Sequence, residues 1–424
     1  MTEGRAEATR AWVLHPDIKS NEDRRAPSFA LAEAVSLACA LPELEVVGSE
    51  IVPLSRPQPG LLFGSGKIDD LKERLKEAEI ELVLIDGPVT PVQQRNLEKA
   101  WNIKLLDRTG LILEIFSDRA ATREGVLQVE MAALSYQRTR LVRAWTHLER
   151  QRGGLGFVGG PGETQIEADR RAIDTQLVRL RRQLEKVVKT RSLHRAARAK
   201  VPYPIVALVG YTNAGKSTFF NRLTGADVMA KDMLFATLDP TMRRVELPDG
   251  PEVILSDTVG FISALPTELV AAFRATLEEV LSADIIVHVR DISHPETDAQ
   301  AADVAAILAD LGVDDSRPVF EIWNKIDQMA PDVLETVRTR ASRAENVFVT
   351  SALTGEGIDP LLAEISARLQ GVIEEAELHL AYAEGRKRAW LFERDLVQAE
   401  AQGEEGYTLQ VRWNARDRAR FESL

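Results

Sequence analysis

Eight consecutive residues, Gly210-Tyr211-Thr212-Asn213-Ala214-Gly215-Lys216-Ser217, carry the densest chemistry in this chain of 424 residues. They fit the pattern G-x-x-x-x-G-K-[ST] in the context that pattern needs. An apolar strand, Ile205 to Val209, runs into the loop, and a helix leaves it at Thr218. Glycines let the backbone wrap a polyphosphate so that successive N–H groups point inward at a helix N-terminus. Lys216 would neutralise charge on the β- and γ-phosphates, and the Ser217 hydroxyl would ligate Mg²⁺. Downstream, Asp257-Thr258-Val259-Gly260 follows a strand, Val253 to Leu255. Asp257 would hold Mg²⁺ through water, and Gly260 would present its N–H to the third phosphate. Between them, Phe235-Ala236-Thr237-Leu238-Asp239-Pro240 sits where a first switch loop belongs. Thr237 is read as the second hydroxyl ligand of Mg²⁺, with Thr241 as its competitor.

The base is specified further along. Asn324-Lys325-Ile326-Asp327 ends the apolar strand Val319 to Trp323. Asp327 can accept two hydrogen bonds from the N1 and exocyclic amine edge of guanine. Adenine presents the wrong donors and acceptors and would leave that carboxylate unpaired. Asn324 would support the loop and contact the base. Ser351-Ala352-Leu353 follows strand Asn346 to Thr350, where the Ala352 N–H would donate to guanine O6. Order and spacing turn these five motifs into one strong reading: a guanine-nucleotide-binding GTPase of the P-loop class whose loops sense the third phosphate. Lys216, Thr237 and Gly260 are the expected catalytic group. Phe261 stands after Gly260, where the best-known small GTPases carry a glutamine that orients water. Phenylalanine cannot do that, so slow intrinsic hydrolysis is expected, with water positioned by a partner or by another residue nearby. Asn213 is a candidate for holding K⁺ beside the phosphates.

These residues need elements to position them, and the chain alternates accordingly. Strand-like and helix-like runs up to residue 113 predict a small α/β domain. Within it, Thr90, Pro91 and Gln93 form a helix-start signal with a capping box. Residues 201–370 alternate again as the nucleotide domain, a mostly parallel sheet with helices on both faces. Residues 371–424 read as a small appended α/β piece, with strands at Leu378 to Tyr382 and Tyr407 to Trp413 and a helix near Arg386 to Ala399. Between the two larger domains, residues 114–200 change period. Leu127, Met131, Leu134, Leu141, Trp145 and Leu148 follow heptad spacing, with Arg138 in one seam position, and Ile166, Ile173, Leu177, Leu180, Leu184 and Val187 repeat it. The pattern predicts an antiparallel helical hairpin whose tip is the glycine-rich run 153–162.

Charge follows this division. The chain carries −12 formally, yet residues 119–200 hold 18 Lys and Arg against 8 Asp and Glu. A cationic hairpin inside an acidic protein attracts a phosphate-rich partner such as RNA. It could equally be a self-solvating hairpin, or one packed against the acidic remainder. A single cysteine, Cys39, precludes an internal disulfide. No apolar run approaches the ~20 residues of a membrane helix, and the N-terminus lacks a secretory core. A cytoplasmic location, no stable membrane insertion and a monomer are expected.

With these residues assembled, the sequence resembles the HflX-type GTPases of the Obg-HflX group. The resemblance covers most of the chain. Its most specific parts are Gly153 to Gly162 leading into Glu163-Thr164-Gln165 and Glu167-Ala168-Asp169-Arg170-Arg171, then Phe235 to Thr241, and the hydrophobic Phe261. It implies GTP and GDP as ligands, binding to the large ribosomal subunit and its rRNA, hydrolysis stimulated by ribosomes, and splitting or rescue of stalled ribosomes under stress. The tip would point towards the peptidyl transferase region. Arg150, Arg152, Gly153, Gly154, Arg170 and Arg171 are the candidate RNA contacts. A GTP-gated RNA-binding or assembly factor with little catalysis is the alternative. The family has also been suggested to bind ATP through its N-terminal domain. Gly64-Ser65-Gly66-Lys67 is only a fragment of a phosphate loop, with Ile68 in the hydroxyl's place, and reads better as a helix-start turn.

Overall fold

The computed structural model describes residues 8–21, 24–151, 165–198, 203–226, 234–235, 241–248, 252–263, 280–313, 317–370, 373–403 and 405–422. Four strands open the chain: β1 (Thr9–Ile18), β2 (Leu44–Leu54), β3 (Leu82–Ile85) and β4 (Lys104–Asp107). They form a parallel sheet in the order β2-β1-β3-β4. Runs such as Leu-Val-Leu-Ile in β3 are apolar on both faces because helices cover both. The crossover helices are α1 (Pro27–Ala38), α2 (Ser65–Glu77) and α3 (Pro91–Trp101). The expected capping box starts α3: the Gln93 N–H donates to Thr90 Oγ1 at 3.2 Å and the Thr90 N–H to Gln93 Oε1 at 2.9 Å.

The boundary expected after residue 113 falls inside α4 (Arg108–Arg119), which Asp107 caps by accepting the Gly110 N–H at 2.9 Å. Leu111, Ile112, Leu113, Ile115 and Phe116 are buried there while Glu114, Ser117 and Asp118 are exposed, a short helical stripe that sequence reasoning missed. Helices α5 (Arg123–Gln151) and α6 (Gln165–Arg198) follow. At 1.5 Å per residue they reach about 44 and 51 Å. Arg138 pairs with Asp174 at 2.7 Å and Gln176 donates to Glu130 at 3.1 Å, contacts that run in opposite directions along an antiparallel pair. The seam position occupied by Arg138 is thus neutralised across the hairpin. The tip, 153–162, lies outside the described residues.

The larger sheet contains β5 (Ile205–Gly210), β6 (Thr241–Glu246), β7 (Glu252–Asp257), β8 (Ile285–Asp291), β9 (Val319–Asn324) and β10 (Val347–Val349). Its order is β10-β9-β8-β5-β7-β6, parallel except for β6. Helices α7 (Lys216–Thr224), α8 (Thr297–Asp310), α9 (Pro331–Ala341) and α10 (Ile358–Gln370) alternate with it. Both α/β units contribute to one apolar core, in which Ile112 and Phe116 of α4 share a cluster with Val209, Tyr211, Phe261 and Ile286.

The tail is a three-stranded antiparallel sheet, β11 (Ile373–Ala381), β12 (Val397–Gln402) and β13 (Gly406–Asn414), with helices α11 (Gly385–Glu393) and α12 (Ala415–Glu422). The helix expected to continue to Ala399 stops at Glu393. Asp395 takes a left-handed conformation (φ +54°), which ends the helix and turns the chain into β12. Leu396 and Val397 then pack into a core with Leu409, Val411 and Trp413.

Candidate nucleotide-binding site

At the carboxyl ends of β5, β7 and β9, where open α/β sheets bind ligands, the sequence motifs converge. Strand β5 delivers the loop Gly210–Ser217 to the start of α7. Gly215 is left-handed (φ +98°), and a Cβ there would stand 2.2 Å from the Asn324 amide nitrogen, so glycine is required on both counts. Lys216 is buried, and its ammonium donates to the carbonyls of Gly210 (3.1 Å) and Tyr211 (2.8 Å). Burial lowers its pKa to about 8, against the opposing pull of Asp257.

The Ser217 hydroxyl donates to Asp257 Oδ2 at 2.7 Å, and Asp257 is fully buried. A hydroxyl and a carboxylate brought together beside a phosphate loop are hard oxygen donors of the kind a small divalent cation prefers. Thr258 is anchored by donating to the Leu208 carbonyl at 2.6 Å. The chain after it folds back over the loop. The Phe261 N–H donates to the Gly210 carbonyl at 3.1 Å and the Thr212 N–H to the Phe261 carbonyl at 2.7 Å. A Cβ on Gly260 would stand 2.9 Å from Thr212 Cα and 3.1 Å from the Lys216 ammonium, so only glycine lets the backbone come this near the phosphate position. Val259 is buried beside it.

The base-side residues form a connected unit. Asn324 donates to the Ala214 carbonyl at 2.8 Å and accepts the Ala352 N–H at 2.8 Å, tying three motif segments together through one side chain. Lys325 is left-handed (φ +68°) and its ammonium pairs with Asp291 at 2.8 Å. Asp327, in a short 3₁₀ turn that begins at the buried Ile326, accepts the Ser351 hydroxyl at 2.5 Å. Leu353 is 69% exposed at the rim, and its carbonyl accepts from Arg222 at 2.9 Å.

The motif model described as "50S ribosome-binding GTPase" matches residues 205–325. Models described as "GTP-binding GTPase N-terminal", "GTP-binding GTPase Middle Region" and "HflX C-terminal domain" match residues 29–117, 119–198 and 336–423. The chain is 50% identical over 369 residues to the GTPase HflX of Magnetococcus marinus, covering 87% of this chain and 84% of that protein. To the GTPase HflX of Escherichia coli it is 44% identical over 357 residues, covering 84% and 83%. It is 42% identical over 377 residues to that of Caldanaerobacter subterraneus subsp. tengcongensis, covering 88% and 86%. The chain belongs to the HflX GTPase family. It is accordingly a GTP hydrolase.

In this HflX family member, Phe235 alone is described of the run Phe235–Asp239 expected to form a first switch. Phe235 is buried, left-handed (φ +57°) and stacked edge-on against Phe116 of α4 with ring centroids 4.6 Å apart. Ala236, Thr237, Leu238 and Asp239 lie outside the described residues, as do Arg152, Gly153 and Gly154; of Arg150 the backbone alone is described. Arg170 and Arg171 are exposed on α6, with Arg170 at 4.0 Å from Asp174. The fragment Gly64–Lys67 lies at the start of α2, with Gly64 as its N-cap, and its lysine pairs with Glu50 (2.5 Å) and Asp70 (2.8 Å). Among the described residues no helix is long and apolar enough to cross a membrane.

Sequence reasoning missed the polar junction between the two α/β units. The Tyr211 hydroxyl donates to Glu33 of α1 at 2.5 Å and accepts the Ser263 N–H at 2.8 Å and Arg25 at 3.0 Å. Burial, then the negative charge of Glu33, pushes that hydroxyl's pKa up, so it stays protonated. Ser263 also donates from Oγ to Glu33 at 2.9 Å, while Arg108 donates to its carbonyl at 3.1 Å. Arg108 pairs in addition with Glu33 and with Asp86, the latter at 2.6 Å. One phosphate-loop residue and one residue just past Phe261 are therefore gripped by the N-terminal unit. Glu33 and Tyr211 stand 178 positions apart in sequence, so no local pattern could have joined them.

Proposed function

We propose that this GTPase binds the large ribosomal subunit and couples its nucleotide cycle to dissociating or rescuing stalled ribosomes under stress. The observation that carries the nucleotide half is the Asn324 side chain, which joins phosphate loop, base loop and Ala352 in one pocket. Within it, the proposed division of labour follows from chemistry. Backbone N–H groups of Gly210 to Thr218 and the Lys216 ammonium take the phosphates and Asp327 takes the guanine edge, while Ala352, whose N–H is held by Asn324 and not left free for O6 as expected from sequence, lines the base side. Ser217, Thr237 and Asp257 would hold Mg²⁺, which supplies charge neutralisation between the phosphates. Lys216, Thr237 and Gly260 act on the third phosphate. Asn213, itself left-handed (φ +57°) in the loop, is the proposed K⁺ ligand, and equal GTP turnover in KCl and NaCl would rule it out.

The ribosomal half is supported by the family, by the description of the matching GTPase model, and by the cationic hairpin. Arg150, Arg152, Arg170 and Arg171, with Gly153 and Gly154, are proposed to meet rRNA at its tip. Cosedimentation with separated subunits, in GTP and GDP at two salt concentrations, tests this. Binding to the large subunit that weakens with salt is expected, together with turnover that rises on adding that subunit. A second reading is favoured by Phe261, which is fully buried and so cannot reach a water at the third phosphate. On that reading nucleotide only gates RNA binding or assembly, and large subunits would leave turnover unchanged.

A further inference from the structure

We propose that Asp291, at the end of β8, is a positioning residue for guanine: it holds the Lys325 ammonium so that the lysine's methylene stem, and not its charge, faces the base. The proposal rests on reading Asn324–Asp327 as the guanine loop. Asp291 lies opposite Asn324 in the register of β8 and β9. One of its oxygens, Oδ1, is fixed by a tight turn, accepting the Ser293 N–H at 3.1 Å and the Ser293 hydroxyl at 2.5 Å. Its other oxygen meets the Lys325 ammonium at 2.8 Å, with both side chains less than a fifth exposed. The Ile292 N–H donates to the Asn324 carbonyl at 3.1 Å, which locks the turn to the loop it serves.

The backbone at Lys325 is left-handed, and a flexible lysine there has one carboxylate across the sheet, Asp291, and another two residues along the chain, Asp327. If the ammonium paired with Asp327, that carboxylate would lose the lone pairs that read the base. Asp291 removes the competition by offering a pre-fixed partner. Next to it Arg290 is buried, pairing with Glu321 and with Asp298 (2.5 Å), and its guanidinium lies 5.8 Å from the Trp323 ring centre. The end of β8 is thereby held stiff from behind.

The test uses the full chain, a fluorescent GDP analogue and four variants: Asp291→Ala, the isosteric Asp291→Asn, Lys325→Met, and Asp291→Ala with Lys325→Met. Both Asp291 variants are expected to release GDP about tenfold faster, equivalent to ~1.4 kcal/mol, and to narrow the preference for GDP over ADP. On the Lys325→Met background, Asp291→Ala should add nothing, because its action runs through that lysine. Multiplying effects in the double variant, or wild-type release from either Asp291 variant, would overturn the proposal. Unchanged melting of the nucleotide-free Asp291→Asn protein separates positioning from a folding defect. Asp327→Asn serves as the independent control: if it leaves guanine selectivity intact, the guanine-loop reading fails rather than the role of Asp291 alone.

Discussion

Lys216 shows how a single buried charge sets the conditions for binding. In the free protein burial brings its pKa to about 8, so it is cationic at pH 7 and largely neutral at pH 9. A polyphosphate favours the cation, so binding must raise that pKa and take up a proton where the free lysine is neutral. Affinity for a non-hydrolysable GTP analogue should therefore be full below pH 8 and fall as pH rises above it, by about tenfold per unit at most. Calorimetry at pH 9 in buffers of different ionisation enthalpy should report proton uptake that is absent at pH 7. Lys216→Met should flatten the profile as well as weaken binding. A wild-type affinity that does not change between pH 7 and 9 contradicts this account.

At the scale of elements, the phosphate loop and the chain after β7 are not carried by the nucleotide sheet alone. Tyr211 offers one hydroxyl to Glu33, Arg25 and Ser263. Tyr211→Phe keeps the ring in the shared core and deletes the hydroxyl. It should cost about 0.5–1.5 kcal/mol of stability, read as a lower urea midpoint, because a part-buried carboxylate loses one of its partners and the Ser263 N–H loses its acceptor. Phe116 gives the apolar counterpart. It is fully buried and touches the ring of Phe235, so Phe116→Ala should cost about 3–5 kcal/mol and loosen the start of the first switch. Faster proteolysis near Phe235 in the nucleotide-free protein would show the second effect, and an unchanged cleavage rate would count against it.

For the whole molecule, the distribution of charge separates two tasks. The proposed nucleotide pocket draws on residues from Gly210 to Leu353, whereas the surplus of positive charge sits on the hairpin between the two α/β units. Removing residues 153–162 should leave GDP affinity within about twofold, since among the described residues the contacts that join the motif segments run between positions 210 and 353. The same deletion should abolish subunit-stimulated turnover if the tip engages rRNA. Retained stimulation would assign the ribosomal contact to another surface.

The sequence by itself determined the motif segments of the proposed pocket and their order, because each motif is a local pattern: a glycine where the backbone must come close, a lysine or hydroxyl after a strand, a carboxylate three residues after Asn324. Heptad spacing likewise exposed the hairpin, since a seam repeats along one chain. It could not show that Asn324 is the side chain that joins Ala214 and Ala352, nor that Asp291 holds Lys325. Helix α4 stayed hidden because the apolar run Leu111-Ile112-Leu113 reads as readily as strand, and only Glu114, Ser117 and Asp118 mark its polar face. The grip of Glu33 and Arg108 on Tyr211 and Ser263 was decided by tertiary structure alone. Its partners come from separate sheets, and only the packing of those sheets, through the core that Phe116 and Phe261 share, brings charges so far apart in the chain within hydrogen-bond reach.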